Sequence, residues 1–80
     1  MTGISSWYQY VPGQAAAGPA LRVGDWRGRT VTVRANGVEI SVRLTDFCQC
    51  YGTRLIDLDV RDFARLAPLS QGLQEVTISW

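Results

Sequence analysis

The chain has no histidine and no lysine. Its eight basic residues are all arginines, scattered from Arg22 to Arg65 without a run. Lacking histidine, it lacks the side chain that most often serves as a general base near neutral pH and as a metal ligand. Its two cysteines, Cys48 and Cys50, would need two further ligands to hold a structural zinc. Only carboxylates could supply them, so neither a metal nor a cofactor is expected. A direct bond between the two is not expected either. Residues i and i+2 of a strand lie roughly 6.6 Å apart, at the upper edge of disulfide geometry, with nearly parallel Cβ vectors. Two free, buried thiols are the expectation. The formal net charge is +1. Dispersed arginines make no stripe for neutralising phosphates, which argues against a nucleic-acid partner. No apolar run approaches the roughly 20 residues of a membrane span. Residues 1–10 carry neither a basic segment nor an apolar core, so no signal peptide is expected. Retention in the cytoplasm, carriage within a larger assembly, or excision from a longer protein remain as alternatives.

What is present suits one small folded unit over residues 1–80. Three Trp, three Tyr and two Phe supply bulky core filling, and charge is modest and spread. The clearest local signal runs from Thr30 to Thr45. Strict alternation flanks Asn36-Gly37, a pair suited to the positive φ that a type I′ turn needs at both central positions. A two-residue loop sets Ala35 opposite Val38, Val33 opposite Ile40 and Val31 opposite Val42. On the other face, Arg34 meets Glu39, Thr32 meets Ser41 and Thr30 meets Arg43. Opposite charges falling across from each other support that register.

Elsewhere the signals are shorter. Residues 5–11, with Trp7, Tyr8, Tyr10 and Val11, predict a first strand ending at Pro12-Gly13. Residues 14–19 look small and flexible, because three alanines cannot nucleate a helix. Residues 21–23 suggest a short strand, and 24–28 a turn carrying Trp26. Residues 46–53 have loop composition and 54–58 that of a strand. Asp59 suits a helix N-cap, and Val60, Phe63, Ala64 and Ala67 share one helical face until Pro68. A last strand, residues 76–80, follows Gly72. Short strands with one helix before the last favour closure into a barrel, which removes sheet edges.

The stretch Val42-Arg43-Leu44-Thr45-Asp46-Phe47-Cys48, then Leu55-Ile56-Asp57-Leu58-Asp59, then Phe63-Ala64-Arg65-Leu66, Gly72 and residues 76–80, resembles the C-terminal half of the expansin, barwin-like and rare-lipoprotein-A domains. Ser6-Trp7-Tyr8 is similar to the opening of rare lipoprotein A. Residues 15–21 are similar to the Ala-rich segment before the second strand of bacterial expansins. The resemblance implies an all-β fold: a six-stranded double-psi β-barrel with one short helix over about residues 59–67. It also implies a shallow groove for extended glycans, with a cell-wall polysaccharide (peptidoglycan or cellulose-like) as partner.

On this resemblance Asp46 takes the position of the families' key acid, a candidate general acid if its pKa were raised by burial. Asp57 takes that of the second groove carboxylate. Trp7, Tyr8 and Trp26 are candidate sugar-stacking aromatics, and Cys48 falls where bacterial expansins place a groove Tyr. Asp59 replaces the usual Ser and keeps its capping chemistry. The sequence departs from the pattern at Gly18, which aligns with a His of rare lipoprotein A. The expectation is therefore a weakly catalytic or non-catalytic wall-glycan binding module. The alternatives are a peptidoglycan lytic transglycosylase and a structural part of an assembly such as a phage tail, with other protein chains as partners. A wall-facing or virion-associated location would follow.

Overall fold

The structure, a computed structural model, describes all 80 residues. Six strands close into a barrel: β1 (Thr2–Tyr8), β2 (Gln14–Ala17), β3 (Thr30–Ala35), β4 (Val38–Phe47), β5 (Arg54–Asp59) and β6 (Gln74–Ser79). Around the barrel the order is β1-β5-β2-β4-β3-β6. One helix, α1 (Val60–Leu66), follows β5 directly, and single 3-10 turns cover Pro19–Leu21 and Leu69–Gln71. No helix is long and apolar enough to cross a membrane.

The β3–β4 hairpin forms in the register that its sequence dictates, from Ala35 opposite Val38 to Thr30 opposite Arg43. Asn36 and Gly37 adopt φ of 52° and 76°, the positive pair of the predicted turn. Asp59 caps α1 as predicted, accepting from the Arg61 N–H at 3.0 Å.

The first strand lies earlier than expected, Thr2–Tyr8 rather than residues 5–11, because its pairing with β6 starts at Thr2 and its pairing with β5 ends at Tyr8. Three further local expectations fail. Residues 14–17 form a strand, paired parallel to β4 on one side and antiparallel to β5 on the other. A short strand with neighbours on both sides and cover on both faces need not alternate, and its three alanines are all buried. Residues 21–23 form no strand: the chain takes a 3-10 turn that sinks Leu21 into the core, and Val23 stays exposed. Cys48 and Cys50 form a disulfide, with Cα atoms 5.1 Å apart. The flat-strand spacing that argued against it does not apply, because β4 ends at Phe47 and the chain bends immediately afterwards. No free cysteine remains.

The core holds Val31, Val33, Ile40, Val42 and Leu44 from the hairpin. Ala15, Ala17, Ile56, Leu58, Val76 and Ile78 join from the other strands, and Phe63 and Leu66 from α1. Two pairings are parallel, β1 with β5 and β2 with β4, and a glycine allows the close approach just beyond the antiparallel β2–β5 pairing. The Gly18 N–H donates to the Leu55 carbonyl at 2.7 Å. A Cβ at residue 18 would stand 2.7 Å from that oxygen and 2.8 Å from the Arg54 oxygen. The backbones meet too closely there for any side chain.

Candidate functional site

Strand pairing gathers the predicted carboxylates. Ala16 on β2 pairs with Asp46 of β4 on one side and with Asp57 of β5 on the other. Asp57 pairs in turn with Ser6 of β1. Ser6, Asp57, Ala16 and Asp46 therefore form one row across four adjacent strands. The row lies outside the barrel, since Ala15, Ala17, Ile56 and Leu58 face the core. Two strand spacings separate the Asp46 and Asp57 Cα atoms, about 10 Å. A β-bulge between Ala15 and Ala16 brings Asp46, rather than Thr45, beside Ala16.

Each carboxylate has partners. Asp57 Oδ1 accepts from the Ser6 hydroxyl at 3.1 Å, and Ser6 Oγ accepts from Arg54 Nε at 3.2 Å. Asp46 Oδ1 accepts from the Phe47 N–H at 2.9 Å, and Oδ2 from the Tyr8 hydroxyl at 3.4 Å. Tyr8 stands on β1 and Asp46 on β4, with β5 and β2 between them. The phenol thus reaches across the row, above Asp57 and Ala16. Ala16 and Ser6 keep little exposure, at 2% and 3%.

The same cover sets the electrostatics. Burial pushes the Asp57 carboxyl above its usual range, and the nearby Asp46 pushes the same way. The Ser6 hydrogen bond and the Arg54 charge oppose them. Burial also pushes the Tyr8 phenol well above its usual range, helped by Asp46, Tyr10 and Asp57. Tyr8 therefore stays a neutral hydrogen-bond donor, and burial makes Asp57 easier to protonate.

Tyr10 completes this surface. Its ring stacks on Tyr8 at 5.0 Å between centroids, with planes 15° apart. Its hydroxyl lies 2.8 Å from Thr45 Oγ1, which donates to Gln14 Oε1 at 2.8 Å. The result is a half-exposed aromatic platform inside a polar frame, over two carboxylates. Tyr10, Ser6, Arg54, Thr45 and Gln14 were not among the sequence candidates. Tyr10 lies beyond the end of β1, so strand spacing does not place it, and the others need the barrel.

Other sequence candidates lie apart from the row. Trp7 packs against the core and donates its indole N–H to the Leu69 carbonyl at 3.1 Å. Trp26 packs against the core from the β2–β3 connection, with the Arg27 guanidinium 4.6 Å from its ring centroid. Cys48 follows the end of β4: its N–H donates to the Ala17 carbonyl at 2.9 Å, and its carbonyl accepts from Arg22 at 3.0 Å. No cluster of three or more potential metal ligands exists. A depression of about 370 Å³ lies elsewhere, at the β3–β4 turn between Arg34 and Glu39. It offers turn backbone and one exposed ion pair, with no aromatic surface.

No protein-family model matches the chain, and no curated protein sequence does. Solved structures do. A Streptomyces papain inhibitor aligns with a TM-score of 0.78 and 27% identity, covering 100% of this chain and 94% of its own. Two structures of an expansin from Clavibacter michiganensis align with TM-scores of 0.80. One is the ligand-free protein at 18% identity; the other is a mutant in complex with cellohexaose at 17%. The fold is the double-psi β-barrel. Each expansin match covers 99% of this chain, which spans about half of the expansin chain.

Proposed function

We propose that this barrel binds an extended cell-wall glycan along the Tyr8–Tyr10 platform and does not cleave it. The observation that carries the proposal is the row itself: stacked phenols above Asp46 and Asp57, framed by Ser6, Thr45 and Gln14. Aromatic faces pack on the apolar faces of pyranose rings, while hydroxyls and carboxylates accept from sugar hydroxyls. An expansin of the same fold, in complex with cellohexaose, supports an extended glycan as the ligand.

Two features favour binding over turnover. Both Asp46 oxygens are already engaged, by the Phe47 N–H and the Tyr8 hydroxyl, so it is poorly placed to deliver a proton to a leaving oxygen. And at residue 18, which aligns with the His of rare lipoprotein A, no side chain fits the backbone. The direct test is co-sedimentation with purified peptidoglycan sacculi and with cellulose, alongside mass spectrometry of the supernatant. Retention that falls in Tyr10→Ala and in the Asp46→Asn, Asp57→Asn double variant, with no anhydro-muropeptides released, is the expected result. Absence of retention on both polymers overturns the binding reading; anhydro-muropeptides lost in Asp46→Asn overturn the non-catalytic one.

One observation favours a second reading, inhibition of a papain-type thiol protease: the papain inhibitor matches this chain end to end. The surface suited to meeting a protein is the loop after β4. Cys48–Cys50 ties it, Arg22 latches it, and Tyr51 is 82% exposed on it. Titration of papain with the protein checks this reading. Stoichiometric loss of activity, reduced in Tyr51→Ala, supports it; full activity at excess protein removes it.

A further inference from the structure

The connection from β1 to β2 carries Tyr10, yet little of its own structure holds it. It is suspended from the first turn of α1 by two buried carboxylates. Asp59 is fully buried, and its two oxygens divide the work. Oδ2 accepts from the Arg61 N–H, which caps the helix, and from Arg61 Nε at 2.9 Å. Oδ1 accepts from the backbone N–H of Tyr10 at 3.0 Å and from the Arg61 guanidinium at 3.1 Å. Asp62, 7% exposed, accepts from the Gly13 N–H at 2.7 Å. Helix capping alone needs one oxygen, and a serine would provide it. The second oxygen of Asp59 and the carboxylate of Asp62 serve the loop.

We infer that Asp59 and Asp62 are positioning residues for the binding surface: α1 holds the loop so that Tyr10 stays stacked on Tyr8, and Tyr8 stays across the Asp57–Ala16–Asp46 row. The line of contact runs without a gap from Asp59 to the Tyr10 backbone, from the Tyr10 ring to the Tyr8 ring, and from the Tyr8 hydroxyl to Asp46. The consequence for ligand binding rests on the glycan reading above; the structural coupling does not.

The test uses Asp59→Ser, which keeps a capping oxygen, and Asp62→Ala, which leaves the cap untouched. Ring-current shifts of the Tyr8 ring protons, measured by NMR, report the stack independently of any ligand. Both folded variants are expected to lose most of that shift, whereas Arg65→Ala, which touches neither carboxylate, keeps it. Cellohexaose binding is expected to weaken up to about tenfold in Asp59→Ser, in line with losing one aromatic pair. The same change in a Tyr10→Ala background should cost little more. Unaltered Tyr8 shifts in both folded variants overturn the inference. So does an equal loss of binding with and without the Tyr10 ring. If the unmodified protein binds no cellohexaose, a cellulose-like ligand is ruled out while the Tyr8 shifts still decide the coupling. Should Asp59→Ser not fold, Asp62→Ala carries the NMR test alone.

Discussion

The β3–β4 hairpin and the crossing of β1, β2 and β5 sit in one barrel and are specified in different ways. The hairpin is local. Its pattern, its turn residues and its cross-strand charges agree with one another, and Arg34 meets Glu39 at 2.6 Å as the register requires. The crossing is non-local. Its strands pair with partners some 30 to 50 positions away, two of those pairings are parallel, and one close approach depends on Gly18 having no Cβ. The candidate site lies mostly on the second kind of structure; its Thr45 and Asp46 stand on β4 beyond the paired part of the hairpin. The paired hairpin, easiest to read, contributes no residue to it.

The sharpest way to break this comparison is to place a methyl at each region's key glycine. Gly18→Ala forces two backbone segments apart and weakens the Gly18 N–H···Leu55 bond, so it should cost about 3 kcal/mol or more, or prevent folding. Gly37→Ala meets open space and opposes only a positive φ, which costs about 1–2 kcal/mol. Chemical denaturation of both variants gives the ratio. Equal losses would mean that the crossing is no tighter than the turn.

Acid offers the next contrast, because half-buried Asp57 and fully buried Asp59 at the end of β5 respond in opposite directions. The Arg61 hydrogen bond, against the cost of burial, holds Asp59 down at about 2, aided by the Arg61 and Tyr10 N–H groups. A depressed folded value stabilises the fold above the unfolded carboxylate range near 4, and that stability is lost as pH falls toward 2. Asp57 is raised, so it stabilises the fold only below the unfolded range and works against it as pH rises through its folded value. At neutral pH, thermal melts should therefore show Asp59→Asn lowering Tm and Asp57→Asn leaving it unchanged or slightly higher. A drop for Asp57→Asn as large as that for Asp59→Asn would contradict the assignment of one to holding the fold and the other to the binding surface.

A modest effect is expected at the disulfide. Its residues are only two positions apart, so closing so short a loop restrains the unfolded chain by about 1.5 kcal/mol on a loop-entropy basis. Replacing both cysteines with serine should lower stability by roughly that amount and leave Tyr8 and Tyr10 undisturbed, as measured by denaturation and NMR.

Sequence reasoning located the hairpin, the capped helix and the barrel class because each leaves a local or family-like pattern; the family-like pattern also singles out Asp46 and Asp57, which strand pairing sets on either side of Ala16. It missed β2 because Gln14-Ala15-Ala16-Ala17 owes its strand state to neighbours on both sides rather than to propensity or alternation. It missed the disulfide because the bend after Phe47 has no sequence signature of its own. Trp7 and Trp26 share with Tyr8 an aromatic face suited to a sugar ring, yet both pack against the core. The smaller phenols of Tyr8 and Tyr10, able to end in hydrogen bonds at a wet surface, form the platform instead.

Titration of isotope-labelled protein with cellohexaose, followed residue by residue by NMR, tests the central assignment most directly. Saturable shifts at Tyr8, Tyr10, Ala16, Asp46 and Asp57, lost in Tyr10→Ala, are the predicted result. Shifts confined to residues 48–53, or no saturable shift anywhere on the barrel, would contradict it.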